Sequence, residues 1–180
     1  MYCNAVAPCF ATASPLTDAT APRHELRGAL KSPKRTHYTT IEKGGFPKLL
    51  RDIDGYQGSP TTTYALQLIA LTFTRTSELI EAEWSEIDLK RAEWLIPAER
   101  MKMRRPHLVP LSAQAVAVFK NVAKLTGDRK YVFPNRNDPT KPASNAIILR
   151  ALGRMGYTGK MTGHGFRSAA STLLNEHKTK

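Results

Sequence analysis

From Thr40 onward the apolar residues fall at helical spacing, with Phe46, Leu49, Leu50 and Ile53 marking one face of a first helix and Gly55 standing where it should stop. Pro60 opens a second helix, since its missing N–H costs nothing at the first position, and Ala65, Leu68, Ile69 and Thr72 lay an apolar stripe along it. A turn at Thr74-Arg75-Thr76-Ser77 leads into a third helix with Glu78, Leu79, Ala82 and Glu83 at helical spacings and Thr76 or Ser77 as the expected N-cap. The period then shortens. Ile87-Asp88-Leu89, Trp94-Leu95-Ile96 and His107-Leu108-Val109-Pro110-Leu111 read as three short strands joined by polar, basic turns, so a small antiparallel sheet is expected. Ser112 caps a further helix that buries Val116, Phe119, Val122 and Ala123 and stops at Gly127. Ser144 caps another through Ile148, Leu149, Leu152 and Met155 to Gly156, and a last one begins near Gly163 and runs through Phe166, Ala170, Leu173 and Leu174. The expected fold class is α+β, mainly α-helical, with a small three-stranded antiparallel sheet.

Residues 1–37 are rich in Ala, Pro, Thr and Ser and sustain neither period, so they read as a linker or the remnant of a preceding domain. Residues 38–180 form the expected domain. A chain of 180 residues, 41% of them hydrophobic, suffices for one ordinary core. The net charge of +12 is unevenly spread. Residues 61–99 hold 3 basic and 7 acidic side chains, whereas residues 100–180 hold 16 basic and 3 acidic. A compact protein with that basic excess is expected to meet a polyanion, and clustered Lys and Arg suit phosphate neutralisation with release of counterions. Cys3 and Cys9 show no paired spacing, so neither a disulfide framework nor a zinc site is expected, and a reducing cytoplasm fits. No run reaches the roughly 18 apolar residues of a membrane span. Ala11-Thr12-Ala13 imitates a cleavage site without the preceding basic and apolar regions of a secretory signal.

Three features carry candidate chemistry: Arg75 with Glu78, the basic turn Met101-Lys102-Met103-Arg104-Arg105, and His164-Gly165-Phe166-Arg167. Each alone has an ordinary reading: an intrahelical salt bridge, a solvated turn, a capped surface pair. The spacing of three, however, places His164 and Arg167 on one helix face, where an imidazole and a guanidinium reach one anionic group. His164 also falls in the first turn of its helix, where unpaired amides and the positive dipole end favour a phosphate. In this order, the four stretches Leu71-Thr-Phe-Thr-Arg75-Thr-Ser-Glu78-Leu79, Glu83-Trp84-Ser-Glu-Ile-Asp88, Met101-Lys102-Met103-Arg-Arg-Pro-His107 and Thr162-Gly-His164-Gly-Phe-Arg167 closely resemble the catalytic domain of tyrosine recombinases, notably phage and prophage integrases. The resemblance spans roughly Leu26 to Glu176. Many members have Gly where this chain has Thr72-Phe73-Thr74.

That resemblance implies site-specific DNA recombination by phosphodiester transfer, with no cofactor. Arg75 and Arg167 would grip the non-bridging oxygens of the scissile phosphate, a task for which guanidinium forks are suited. Lys102 would protonate the leaving 5′ oxygen, His164 would assist proton transfer or bind the phosphate, and Glu78 would orient Arg75 and His164. Arg104, Arg105, His107 and Lys160 are expected to contact double-stranded DNA, with other integrase subunits as further partners. No metal is expected, because Asp and Glu are nearly absent after residue 100 and no His/Cys cluster has ligand spacing. Trp84 and Trp94 read as packing residues.

The family's nucleophile is a tyrosine beyond the His-x-x-Arg helix. Here no tyrosine follows Tyr157, the family's later His or Trp has no counterpart, and His177 lies outside such a motif. Tyr64, Tyr131 and Tyr157 read as core or loop residues. The expectation is therefore a catalytic domain truncated at both ends and unable to cleave alone. A DNA-binding or integrase-interacting module without catalysis, and a half-site awaiting a tyrosine from another subunit, stand as alternatives.

Overall fold

The computed structural model describes residues 41, 43–101 and 103–177, with side chains left aside for Lys43 and for residues 173–177. The expected linker 1–37 and Lys102 lie outside the described residues. Among the described residues six α-helices and three strands follow in the order α1 (Phe46–Asp54), α2 (Pro60–Thr72), α3 (Thr76–Ile80), β1 (Ile87–Asp88), β2 (Glu93–Ile96), β3 (His107–Pro110), α4 (Ala113–Thr126), α5 (Ala146–Arg154) and α6 (Gly163–His177).

Helix α2 is the axle. Pro60 stands at its first position, and Ala65, Leu66, Leu68, Ile69 and Ala70 are all buried, far more than the single stripe expected from sequence. The reason is its surroundings: α1, α3, α4, α5 and α6 all pack on it, and a helix apolar around most of its circumference has to be enclosed. Leu49 and Ile53, one turn apart, turn the buried side of α1 toward this core, and α1 ends at Gly55. Leu50 stays exposed.

The three strands pair antiparallel in the order β1-β2-β3. Trp94 faces Val109 across the ladder and Leu95 faces Leu108. Alternation then sends Trp94, Ile96 and Val109 into the core and leaves Leu95 and Leu108 outside. Helix α4 covers the inner face: Phe119 meets the edges of Trp84 and Trp94, each at 6.3 Å between ring centroids. Ser112 accepts a hydrogen bond from the Ala115 amide at 3.2 Å and so caps α4. The Trp84 indole donates to the Thr126 carbonyl at the other end.

Helix α5 starts one residue later than the Ser144 cap would put it. Its N-cap is Asn145, while the Ser144 hydroxyl accepts from the Ala146 amide. Ile148, Ala151 and Leu152 are buried, but Leu149, expected on the core face, is half exposed. Between Ile148 and Leu152 lies one turn, and Leu149 falls off that line.

Candidate active site

The third helix begins earlier than expected. Its N-cap is Arg75 itself, in extended conformation (φ −72, ψ 149), in place of Thr76 or Ser77. Glu78, at the third helical position, decides this: its carboxylate accepts the Arg75 backbone N–H at 2.8 Å and also takes a hydrogen bond from the Arg75 guanidinium. Reaching back from that position satisfies an amide that the helix leaves open. The Glu78 side chain is 3% exposed and that of Arg75 35%, so the carboxylate is shut from water while the guanidinium still offers donors outward.

Just before Arg75 the chain makes a sharp turn. Phe73, the C-cap of α2, takes a left-handed conformation (φ 52). A glycine would hold such a φ without cost, whereas a side chain makes it strained. The Thr72 and Thr74 hydroxyls are 3.1 Å apart inside the turn, and Thr74 is buried.

Helix α6 is capped by Thr162, whose hydroxyl accepts the Gly165 amide at 3.2 Å. Its first residue, Gly163, lies so close to α3 that a Cβ there would stand 2.1 Å from the Thr76 hydroxyl oxygen. The absence of a side chain at 163 therefore lets the first turn of α6 rest on the first turn of α3. His164 follows directly and is exposed. One turn on, the exposed Arg167 donates from Nη1 to the Phe73 carbonyl at 3.4 Å. Residues about ninety positions apart thus converge: Arg75 and Arg167 border the same Phe73–Arg75 loop, with His164 on the same helical turn as Arg167.

Of the expected DNA contacts, Arg104, Arg105 and His107 are exposed on the β2–β3 connection and at the start of β3. Arg104 is left-handed (φ 48) and its amide donates to the Met101 carbonyl at 2.9 Å. Lys160 is exposed in the turn before α6.

Sequence reading missed one arginine. Arg100, just before the basic turn, pairs with the Glu86 carboxylate and donates to the Glu78 backbone carbonyl at 2.6 Å. The buried Trp94 indole donates to the other Glu86 oxygen at 3.1 Å. The signal was available, since the segment 61–99 carries seven acidic against three basic side chains and needs cations from outside it.

Two of the described tyrosine hydroxyls, those of Tyr157 and Tyr56, have other partners. Tyr157 donates to Asp52 at 2.5 Å, and burial together with that carboxylate pushes its pKa up to about 12. Tyr56 accepts from Arg154 at 3.3 Å. Among the described residues no group of three or more His, Cys, Asp or Glu side chains is placed to hold a metal ion, and no helix is long and apolar enough to cross a membrane.

The family model described as the phage integrase family matches residues 42–180. The chain belongs to the phage integrase family. It is 41% identical over 155 residues to prophage integrase IntZ of Escherichia coli, covering 86% of this chain and 38% of that protein. It is 38% identical over 167 residues to prophage integrase IntA of the same species, covering 93% and 40%. The chain therefore spans well under half the length of these integrases. Among solved structures, the lambda integrase dimer bound to a COC′ core site shares the fold, with a TM-score of 0.60 at 17% identity over 83% of this chain and 55% of that one. The expected α+β integrase catalytic fold and its three-stranded antiparallel sheet are thereby borne out.

Proposed function

We propose that this integrase-family domain grips a phosphodiester of double-stranded DNA between Arg75 and Arg167 and serves site-specific recombination by phosphodiester transfer. The observation that carries this reading is the convergence of the two arginines on the Phe73–Arg75 loop, with Arg75 held by the buried Glu78. Two planar, permanently charged forks on either side of one loop suit the non-bridging oxygens of a phosphate, whose charge grows in the pentacoordinate transition state. The exposed His164 stands in the first turn of α6, at the positive end of the helix dipole, which favours an anion.

In this reading a tyrosine hydroxyl, from elsewhere in the protein or from another integrase subunit, attacks phosphorus. Its proton passes to a base, a role that His164 would take. The 5′ oxygen leaves with a proton from the Lys102 ammonium, and the phosphate remains linked to the tyrosine. Glu78 orients Arg75 and takes no proton. Arg104, Arg105, His107 and Lys160 neutralise flanking phosphates. Two features support DNA and fellow subunits as partners: the basic excess after residue 100, and the dimeric, DNA-bound state of the lambda integrase relative.

A second reading, a DNA-binding module without catalysis of its own, is favoured by the engagement of Tyr157 with Asp52. Two measurements separate them. Duplex affinity is titrated against salt for the chain and for Arg75→Ala and Arg167→Ala; each substitution is expected to lower the slope of log K against log salt by about 0.9, one phosphate contact. Unchanged slopes would sink both readings. A covalent protein–DNA adduct on a nicked attachment site then supports catalysis, and steep salt dependence without an adduct supports the binding module.

A further inference from the structure

Helix α3 has only five residues, too few to hold itself together, and its last turn relies on donors beyond it, with the Glu81 amide donating to the Ser77 and Leu79 carbonyls. Arg100 supplies one partner, donating from Nη2 to the Glu78 carbonyl. The same guanidinium is held through Nη1 by Glu86, which the buried Trp94 indole fixes from strand β2. Its side chain is 17% exposed and that of Glu86 8%, while its buried Nε has no hydrogen-bond partner. An arginine is rarely buried at that cost for a single surface pair. Its geometry forms a chain of contacts from core strand to site: Trp94 to Glu86, Glu86 to Arg100, Arg100 to the backbone of Glu78, and the Glu78 carboxylate to Arg75.

We infer that Arg100 is a positioning residue for Arg75: it anchors the short α3 to the sheet, so that the Glu78 carboxylate stands where it can aim the Arg75 guanidinium at a phosphate. The inference rests on the reading of Arg75 as a phosphate ligand only for its functional consequence. The anchoring is a separate statement about Arg75. A lysine at 100 offers a point charge and reaches one of the two acceptors, whereas the arginine fork spans both.

Removing Arg100 alone would strand the buried Glu86 charge and risk unfolding, so the test uses the neutral pair Glu86→Gln with Arg100→Gln. In the folded double variant, shown as such by a dispersed amide spectrum, the Arg75 Nε–Hε resonance is expected to move and to exchange faster with water than in the parent. Duplex affinity is expected to fall at least about threefold, with no further fall when the pair is introduced into Arg75→Ala, because residues acting through one another are not additive. An unchanged Arg75 resonance in the folded variant, or losses that simply add, would overturn the inference. If Arg75→Ala leaves parental affinity and salt slope intact, the phosphate reading fails, and the Arg75 resonance still decides the positioning claim.

Discussion

The Arg167 guanidinium donates to the Phe73 carbonyl at 3.4 Å, joining the last helix to the loop two residues before Arg75. That carbonyl is presented by a left-handed Phe73, so a strained backbone residue receives the Arg167 guanidinium.

Phe73→Gly is expected to be more stable than Phe73→Ala, the reverse of the usual order. Both lose the same half-buried ring. Alanine must still hold the left-handed conformation at about 1–2 kcal/mol, and glycine forfeits only about 0.4–1 kcal/mol through its freer unfolded chain. Urea unfolding of the pair should show a gap of roughly 1 kcal/mol in favour of glycine. An equal or inverted pair would mean that the turn relaxes out of this conformation.

Gly163→Ala is expected to cost about 1–3 kcal/mol, since its methyl meets the Thr76 hydroxyl oxygen 2.1 Å away and either α6 or the threonine rotamer must give. Adding Thr76→Ala in the same chain removes the nearest obstacle and should recover part of that loss. Denaturant midpoints of the single and double variants check it; no recovery would place the conflict elsewhere in the helix contact.

Arg167→Lys keeps the charge and loses the fork. The slope of duplex affinity against salt is therefore expected to stay at the parental value while affinity itself falls, because an ammonium cannot hold the Phe73 carbonyl and two phosphate oxygens at once. Filter binding at several salt concentrations separates the two quantities. Parental affinity would show that the guanidinium geometry is unused.

Tyr157 gives a pH prediction. Its folded pKa, about 12, lies above the usual value of 10, so the protonated phenol is favoured by folding. The associated stability is complete below pH 10 and is lost as pH rises from there through about 12. Tyr157→Phe should flatten the stability profile across that window, as measured by urea midpoints at pH 9 and 11.5.

Local chemistry explains which features were legible in the sequence. Pro60, Ser112, Gly55 and Gly127 mark helix ends by their own backbone or side-chain properties, and the structure places those ends there. The alternation around Trp94 likewise locates the inward strand face. The N-cap of α3 was misread because two hydroxyl residues sit next to Arg75, and hydroxyls are the common caps. The carboxylate three residues on took the role instead.

The order of motifs, the basic second half and the shared face of His164 and Arg167 on α6 were determined by the sequence alone, because spacing of three in a helix puts side chains on one face. Only the tertiary structure decided that α2 is enclosed by five helices, that Gly163 lets α6 rest on α3, and that Arg100 reaches back to the Glu78 carbonyl. The last two are contacts between residues 87 and 22 positions apart. They arise from burying one shared core, and a local pattern of residue types holds no record of which distant surface will cover it.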